Sequence, residues 1–175
     1  MLPFLLCDLE LKILIADHNK STISSINECN PSFEVEEGNP LAFDIDAVVS
    51  PANTMGIMNG GYDAVLRRYF GIAIEYTVQK YLEKLKIDVG QAIAVKTGHP
   101  KVHWLIVTPT VSVTGEGLSG HESVSYACAY NSVKAAHERG VKYLGMTGLD
   151  KRVFSRQQVE GIQDALNKFN LSISS

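Results

Sequence analysis

Apolar positions along the chain fall into short continuous runs that alternate with longer stretches of helical spacing. After Lys12, the run Ile13-Leu14-Ile15-Ala16 stops at Asp17-His18-Asn19. Residues 21–29 then place Ile23 and Ile26 on one helical face. Residues 33–36 predict a strand and Gly38-Asn39-Pro40 a turn. Ala47-Val48-Val49 predicts a buried strand ending at Ser50-Pro51, since the run is too short for a buried helix.

A glycine-punctuated loop over 53–61 follows, and then a helix over 62–70 with Val65, Leu66, Tyr69 and Phe70 on one face and Gly71 at its end. Residues 74–86 repeat the helical period through Tyr81, Leu82 and Leu85. Strands are expected over 92–95 and 105–107, with Gly98 and Pro100 marking the turn between them. Residues 114–120 read as a loop, 122–139 as a long helix capped by Gly140, 142–144 as a strand, 145–150 as a loop and 155–169 as a final helix. Strands alternating with helices predict an α/β fold, with a largely parallel or mixed sheet covered on both faces. No repeat or shift in composition divides the chain, so residues 1–175 are expected to form a single domain. Ligands of such sheets bind beyond the carboxyl ends of the strands, which directs attention to the loops 38–41, 53–61 and 145–150.

The composition, 45% hydrophobic and 20% charged over 175 residues, is that of a globular chain long enough to bury a core without staples. A net charge of -3 excludes the electrostatic footprint needed to hold duplex DNA. It does not exclude a small phosphate ligand held by backbone amides at a helix N-terminus. Cys7, Cys29 and Cys128 are widely spaced and lack a C-x-x-C or a neighbouring His pair, so reduced thiols are expected and no metal or other cofactor. Cys128 lies on an apolar helix face and is expected in the core. The apolar opening 1–6 lacks basic residues before it, and Asp8 and Glu10 interrupt it, which argues against a signal segment. With no run of membrane-spanning length, the expectation is no membrane association and a cytoplasmic location.

The most informative stretch is Asp46-Ala47-Val48-Val49-Ser50-Pro51-Ala52-Asn53, followed by Gly60-Gly61-Tyr62-Asp63 at a helix start. Paired glycines let a ligand approach the backbone, and the first helical turn offers unpaired N–H groups with positive dipole character. That turn suits pyrophosphate. Asp63, in the first turn, could hold or polarise a water, and Asn53 could orient a ribose hydroxyl opposite it.

In these features the chain resembles the macro-domain family, in which a strand ending in Asn leads through a Gly-rich loop to a Gly-Gly-hydrophobe-Asp helix start. Further pieces stand in family order: Gly38-Asn39-Pro40-Leu41, Gly90-Gln91-Ala92 through Thr97-Gly98, Pro100-Lys101 before the strand to Pro109, and Thr147-Gly148-Leu149. The Ser-Pro-Ala-Asn wording, with Met58-Asn59 ahead of the glycines, looks most like a divergent bacterial or phage-type branch. The resemblance implies a three-layer α/β/α sandwich whose cleft takes ADP-ribose or a related nucleotide. Asn39 and Pro40 would stand at the adenine end, Asn53 would contact the distal ribose, and Ala52 would be among the ligand-binding residues. Gly60, Gly61 and Tyr62 would border the phosphates, Asp63 would support a catalytic water, and Thr147, Gly148 and Leu149 would form a second phosphate loop. Hydrolytic members release ADP-ribose from a modified side chain or remove phosphate from ADP-ribose 1″-phosphate, and other members bind without turnover. An ADP-ribosylated protein or nucleic-acid end is the implied partner.

Three departures qualify the match. Asn39-Pro40 replaces the family's Asp and following amide donor, although the Asn39 carbonyl can still accept from an exocyclic amine. Met58 and Asn59 replace further glycines, and Asp150 stands where an aromatic-glycine pair is usual.

Plainer roles compete at single positions. Asn53 alone would make a turn and Asp63 would cap a helix. His99 and His103 flank a turn and are expected to bond locally. Ser119 and Glu122 have capping-box spacing, Arg67 and Arg68 suit a solvated helix surface, and Glu34 and Glu36 suit a solvated strand face. No G-x-G-x-x-G follows the first strand, which argues against a dinucleotide-dependent oxidoreductase. A hydrolase, a non-catalytic reader and an accessory protein with a vestigial cleft remain as alternatives.

Overall fold

The computed structural model describes residues 10–30, 32–112, 122–149, 155–169 and 171. The expected loop over 114–120, the Ser119 cap, Asp150 and Cys7 lie outside these residues.

In chain order the elements are β1 (Lys12–Asp17), α1 (Lys20–Cys29), β2 (Glu34–Glu37), a 3-10 turn (Pro40–Ala42), β3 (Ala47–Asn53), α2 (Gly61–Phe70) and α3 (Ala73–Leu85). There follow β4 (Ile93–Lys96), β5 (Trp104–Val111), α4 (Glu122–Glu138), β6 (Tyr143–Met146) and α5 (Ser155–Lys168). The strands form one sheet in the order β2-β1-β6-β3-β5-β4. Every neighbouring pair is parallel except β4 with β5, which is antiparallel. The expected mixed, largely parallel sheet is what forms.

Each central strand divides its side chains between two cores because successive residues point to opposite faces. Ile13 and Ile15 of β1, Ala47 and Val49 of β3, and Ile106 of β5 enter one core with Ile26 of α1, Cys128 of α4 and Ile162 of α5. Leu14 and Ala16, Val48 and Ala52, and Leu105 and Val107 enter the other, against Leu66 of α2 and Val78 of α3. Helices therefore cover both faces, giving the three-layer α/β sandwich that the alternation of runs implied. Gly161 lets α5 lie against α4: a Cβ there would stand 2.4 Å from the Tyr126 carbonyl oxygen.

Several local expectations need correction. β3 does not stop at Ser50-Pro51 but runs on to Asn53, because Pro51 and Ala52 stay in register with Thr108 and Pro109 of β5. Gly145 and Met146 belong to β6 rather than to the loop after it. Tyr69, Tyr81 and Leu85 are exposed; the buried stripe of α3 is Ile74, Val78 and Leu82, spaced four residues apart. Glu34 does not simply face solvent, since it accepts the Tyr143 hydroxyl and pairs with Lys12 at 3.1 Å.

Candidate functional site

The parallel strands all end on one edge of the sheet, and the loops leaving them enclose a cavity of about 480 Å3. Asp17 and His18 enter from the end of β1, Gly38 from β2, Pro51 from β3, Thr110 from β5 and Thr147, Gly148 and Leu149 from beyond β6. The start of α2 adds Gly60, Gly61, Tyr62 and Val65. A second concavity of about 690 Å3 is lined by residues of α1 and α5 only, with no strand-end residue.

The floor at α2 follows from its glycines. Gly60 is the N-cap in extended conformation, with no side chain bonded to the helix start, and Gly61 adopts φ +56, a left-handed conformation that favours glycine. A Cβ at either would meet no atom within 4 Å, so the space above the first-turn amides is open. The preceding loop is held rigidly from three sides. Asn53 Oδ1 accepts from Met55 N and Ile57 N, each at 3.1 Å, and its Nδ2 donates to Ile57 O at 2.8 Å. Met58 N donates to Glu75 Oε2 at 2.6 Å, and Gln79 Nε2 donates to Gly56 O at 3.4 Å.

Six of the residues expected at the site border the cavity: Gly60, Gly61, Tyr62, Thr147, Gly148 and Leu149. Asn39, Pro40, Ala52, Asn53 and Asp63 are not among its lining. Ala52 is buried in the core under α2. Asn53 spends its amide on its own loop, as described. Asp63 is buried, and its Oδ1 accepts the Ser50 hydroxyl at 2.5 Å, so the carboxyl points to β3. Burial pushes that carboxyl up to about 6, outweighing the hydrogen bond from Ser50. Pro40 is also buried, close against Gly145, where a Cβ would stand 2.9 Å from Pro40 Cβ.

Asn39 needs a further correction. Its Oδ1 accepts from Leu41 N at 3.0 Å and from the Tyr62 hydroxyl at 2.8 Å, which uses both lone pairs of the carbonyl oxygen. That oxygen is thus not free for an exocyclic amine. The phenol of Tyr62 is held well above its usual range, first by burial and then by the negative charge of Asp17.

Asp17, His18 and Thr110 border the cavity although no motif singled them out. The available signal was positional, for each stands at or just beyond the carboxyl end of a parallel strand. Gln158 of α5 is a further residue that sequence reasoning missed. It is buried, accepts Leu149 N at 3.0 Å and donates to Thr147 O at 2.9 Å, so it fixes both ends of the 147–149 loop. Arg67 pairs with Glu75 at 3.3 Å instead of remaining solvated. His99 Nδ1 accepts from Lys101 N and Val102 N, and His103 bonds to Pro100 O, which are local turn roles. Among the described residues no cluster of His, Cys, Asp and Glu is arranged to hold a metal ion, and no helix is long and apolar enough to cross a membrane.

Comparison with known proteins agrees with this architecture. Among solved structures, the chain is similar to the macrodomain of Thermus aquaticus DarG (TM-score 0.62, 18% identity, 89% of this chain and 91% of that one). It is also similar to the macrodomain of Mycobacterium tuberculosis DarG (TM-score 0.60, 17% identity, 75% and 88%). The macro domain of ganglioside induced differentiation associated protein 2 gives a TM-score of 0.55 at 16% identity, over 91% of this chain and 72% of that one. In sequence, an uncharacterized protein of Aquifex aeolicus is 31% identical over 137 residues, 74% of this chain and 80% of that protein. One from Aeropyrum pernix is 27% identical over 120 residues, 69% of this chain but only 61% of its own length. The family model described as Macro domain matches residues 49–160, from β3 into α5. With that match spanning more than half of its length, the chain belongs to the macro domain family.

Proposed function

We propose that the strand-end cavity binds ADP-ribose or a closely related nucleotide, with the phosphates over the start of α2. The observation that carries this reading is the uncapped, glycine-floored N-terminus of α2 opening into a cavity of about 480 Å3. That volume lies within the roughly 300 to 1,000 Å3 usual for small-ligand sites, and a helix start needs no Lys or Arg to hold phosphate. An ADP-ribosylated protein or nucleic-acid end is the macromolecular partner consistent with it. The buried Cys128 thiol, which donates to the Pro109 carbonyl at 3.5 Å, fits a reducing, cytoplasmic setting.

Calorimetric titration with ADP-ribose tests the reading. Saturable binding by the native chain, weakened at least about tenfold by Gly61→Val, is expected, since the variant puts a side chain in a left-handed position above the amides. Absence of binding to ADP-ribose, ADP and AMP alike would overturn it.

Hydrolysis through Asn53 and Asp63 is the second reading, favoured by one observation: a buried carboxyl raised to about 6 in the first turn of α2. It requires both side chains to leave their present partners and turn toward the cavity. Turnover of ADP-ribosylated substrates or of ADP-ribose 1″-phosphate that disappears in Asp63→Ala would support it. Tight binding without turnover identifies a reader instead.

A further inference from the structure

The loop that leads into α2 serves two concavities. Pro51 just before it and Gly60-Gly61 at its end border the strand-end cavity, whereas its middle borders a separate groove of about 540 Å3. Thr54, Met55 and Ile57 form one wall of that groove, and Gln79, Leu82 and Glu83 of α3 form the other. Both walls are fixed by the protein itself. Gly56 lies directly on α3, where a Cβ would stand 3.0 Å from Leu82 Cδ1 and from Val78 Cγ1, and Gln79 donates to its carbonyl. Asn53 closes the 53–57 turn. The groove nevertheless leaves an apolar side chain uncovered, since Met55 is 58% exposed. Glu83, also exposed, is the one charged side chain among the described residues that line it; Lys80 and Lys84 of α3 are not in the lining.

We propose that this groove docks the polypeptide that carries the nucleotide, taking an apolar side chain of an ADP-ribosylated protein with a Lys or Arg beside it. The inference rests on the nucleotide-binding reading above and deepens it by naming the partner. Continuity of the loop supplies the reach. Ile57 in the groove and Gly60 in the cavity are three residues apart, a span of at most about 11 Å, which three or four residues of an extended peptide cover. Charge selects the class of carrier. A nucleic acid would bring phosphates against Glu83 with no cation in the described lining to receive them, whereas a Lys or Arg of a peptide gains a partner there. The apolar part of the lining, Met55, Ile57 and Leu82, suits an aliphatic side chain, and the unbranched thioether of Met55 adapts to its shape.

The test compares free ADP-ribose with synthetic peptides that each carry one ADP-ribosylated serine, in competition binding at low salt. One peptide has Leu-Arg pairs three residues to either side of the serine, and a second has Leu-Glu pairs at the same places. The native chain is expected to bind the Leu-Arg peptide at least about fivefold tighter than free ADP-ribose, as partial burial of one leucine provides. The Leu-Glu peptide is expected to bind about threefold more weakly than the Leu-Arg one, the scale of an exposed ion pair. Glu83→Lys, which lies outside the strand-end cavity, should reverse that order by tightening the Leu-Glu peptide, a gain that misfolding does not produce. If the chain turns the peptides over, kcat/KM replaces affinity in each comparison. The proposal is overturned if the Leu-Arg peptide gains less than about fivefold over free ADP-ribose, or if Glu83→Lys leaves it ahead of the Leu-Glu peptide by as much as before. An oligonucleotide with an ADP-ribosylated end that binds the native chain tighter than the Leu-Arg peptide also overturns it. Those outcomes leave nucleotide binding intact, whereas failure of the native chain to bind free ADP-ribose or any conjugate overturns both.

Discussion

Ser50 on β3 donates its hydroxyl to Oδ1 of Asp63 on α2 at 2.5 Å, with both side chains buried. The pair ties the helix that floors the cavity to the central strand beneath it. It also leaves an ionisable group where ionisation is costly. Asp63 is raised on folding from 3.8 to about 6, so the native chain binds this proton more tightly than the unfolded chain. Its contribution to stability is complete below 3.8 and is lost as the pH rises through about 6. The difference corresponds to at most about 3 kcal/mol. Asp63→Asn keeps an acceptor for Ser50 and cannot ionise. Urea unfolding should find the variant more stable than the native chain at pH 7.5, by about 1 to 3 kcal/mol, and the two nearly equal at pH 4. A variant less stable at pH 7.5 would contradict this account.

Gln158 reaches across from α5 to hold the 147–149 loop through Leu149 N and Thr147 O. Gln158→Leu preserves volume but strands both backbone groups in a buried place. A loss of about 2 to 4 kcal/mol in denaturant unfolding is expected, with weaker ADP-ribose binding as the loop loosens. Unchanged stability would mean that the loop holds itself.

Close approach of α4 and α5 depends on Gly161, whose added Cβ would collide with backbone rather than with a yielding side chain. Gly161→Ala is expected to lower stability by about 1 to 3 kcal/mol despite the better helix propensity of Ala. Thermal unfolding gives the answer, and a stabilised variant would show that the helices separate freely.

For Asn53, the bonds within its own loop predict a cost that precedes any ligand. Asn53→Ala removes three hydrogen bonds that close residues 53–57. The unliganded protein should lose about 1 to 3 kcal/mol, measured by chemical denaturation in the absence of nucleotide. If only binding fell and stability did not, the side chain would be acting on the ligand instead.

Much of this architecture was legible from runs and spacings because it depends on local pattern. The runs at Ile13-Leu14-Ile15 and Ala47-Val48-Val49 announce strands buried on both faces, and Gly60-Gly61 announces a ligand-approachable helix start. What stayed hidden depends on partners distant in sequence. A helical period cannot say that Leu82 is inward while Leu85, three residues on, is exposed, when only the stripe Ile74, Val78 and Leu82 is buried. Nothing local reveals that Tyr62 takes the Asn39 oxygen from 23 positions away, or that Asp17 meets an amide 131 positions later. Both contacts exist only because strand order brings β1 and β6 together and sets α2 over the turn after β2.

The corner between β3 and α2 carries a thermodynamic consequence. Six residues after Asn53 would ordinarily form a wandering segment, yet amide, carboxylate and carboxamide groups from Asn53, Glu75 and Gln79 hold it down before any guest arrives. The disorder of that backbone is surrendered once, when the chain folds, and not again at each encounter. On the proposed reading, a nucleotide settling at the Gly60-Gly61 step demands no further ordering of this segment, which suits rapid and reversible capture.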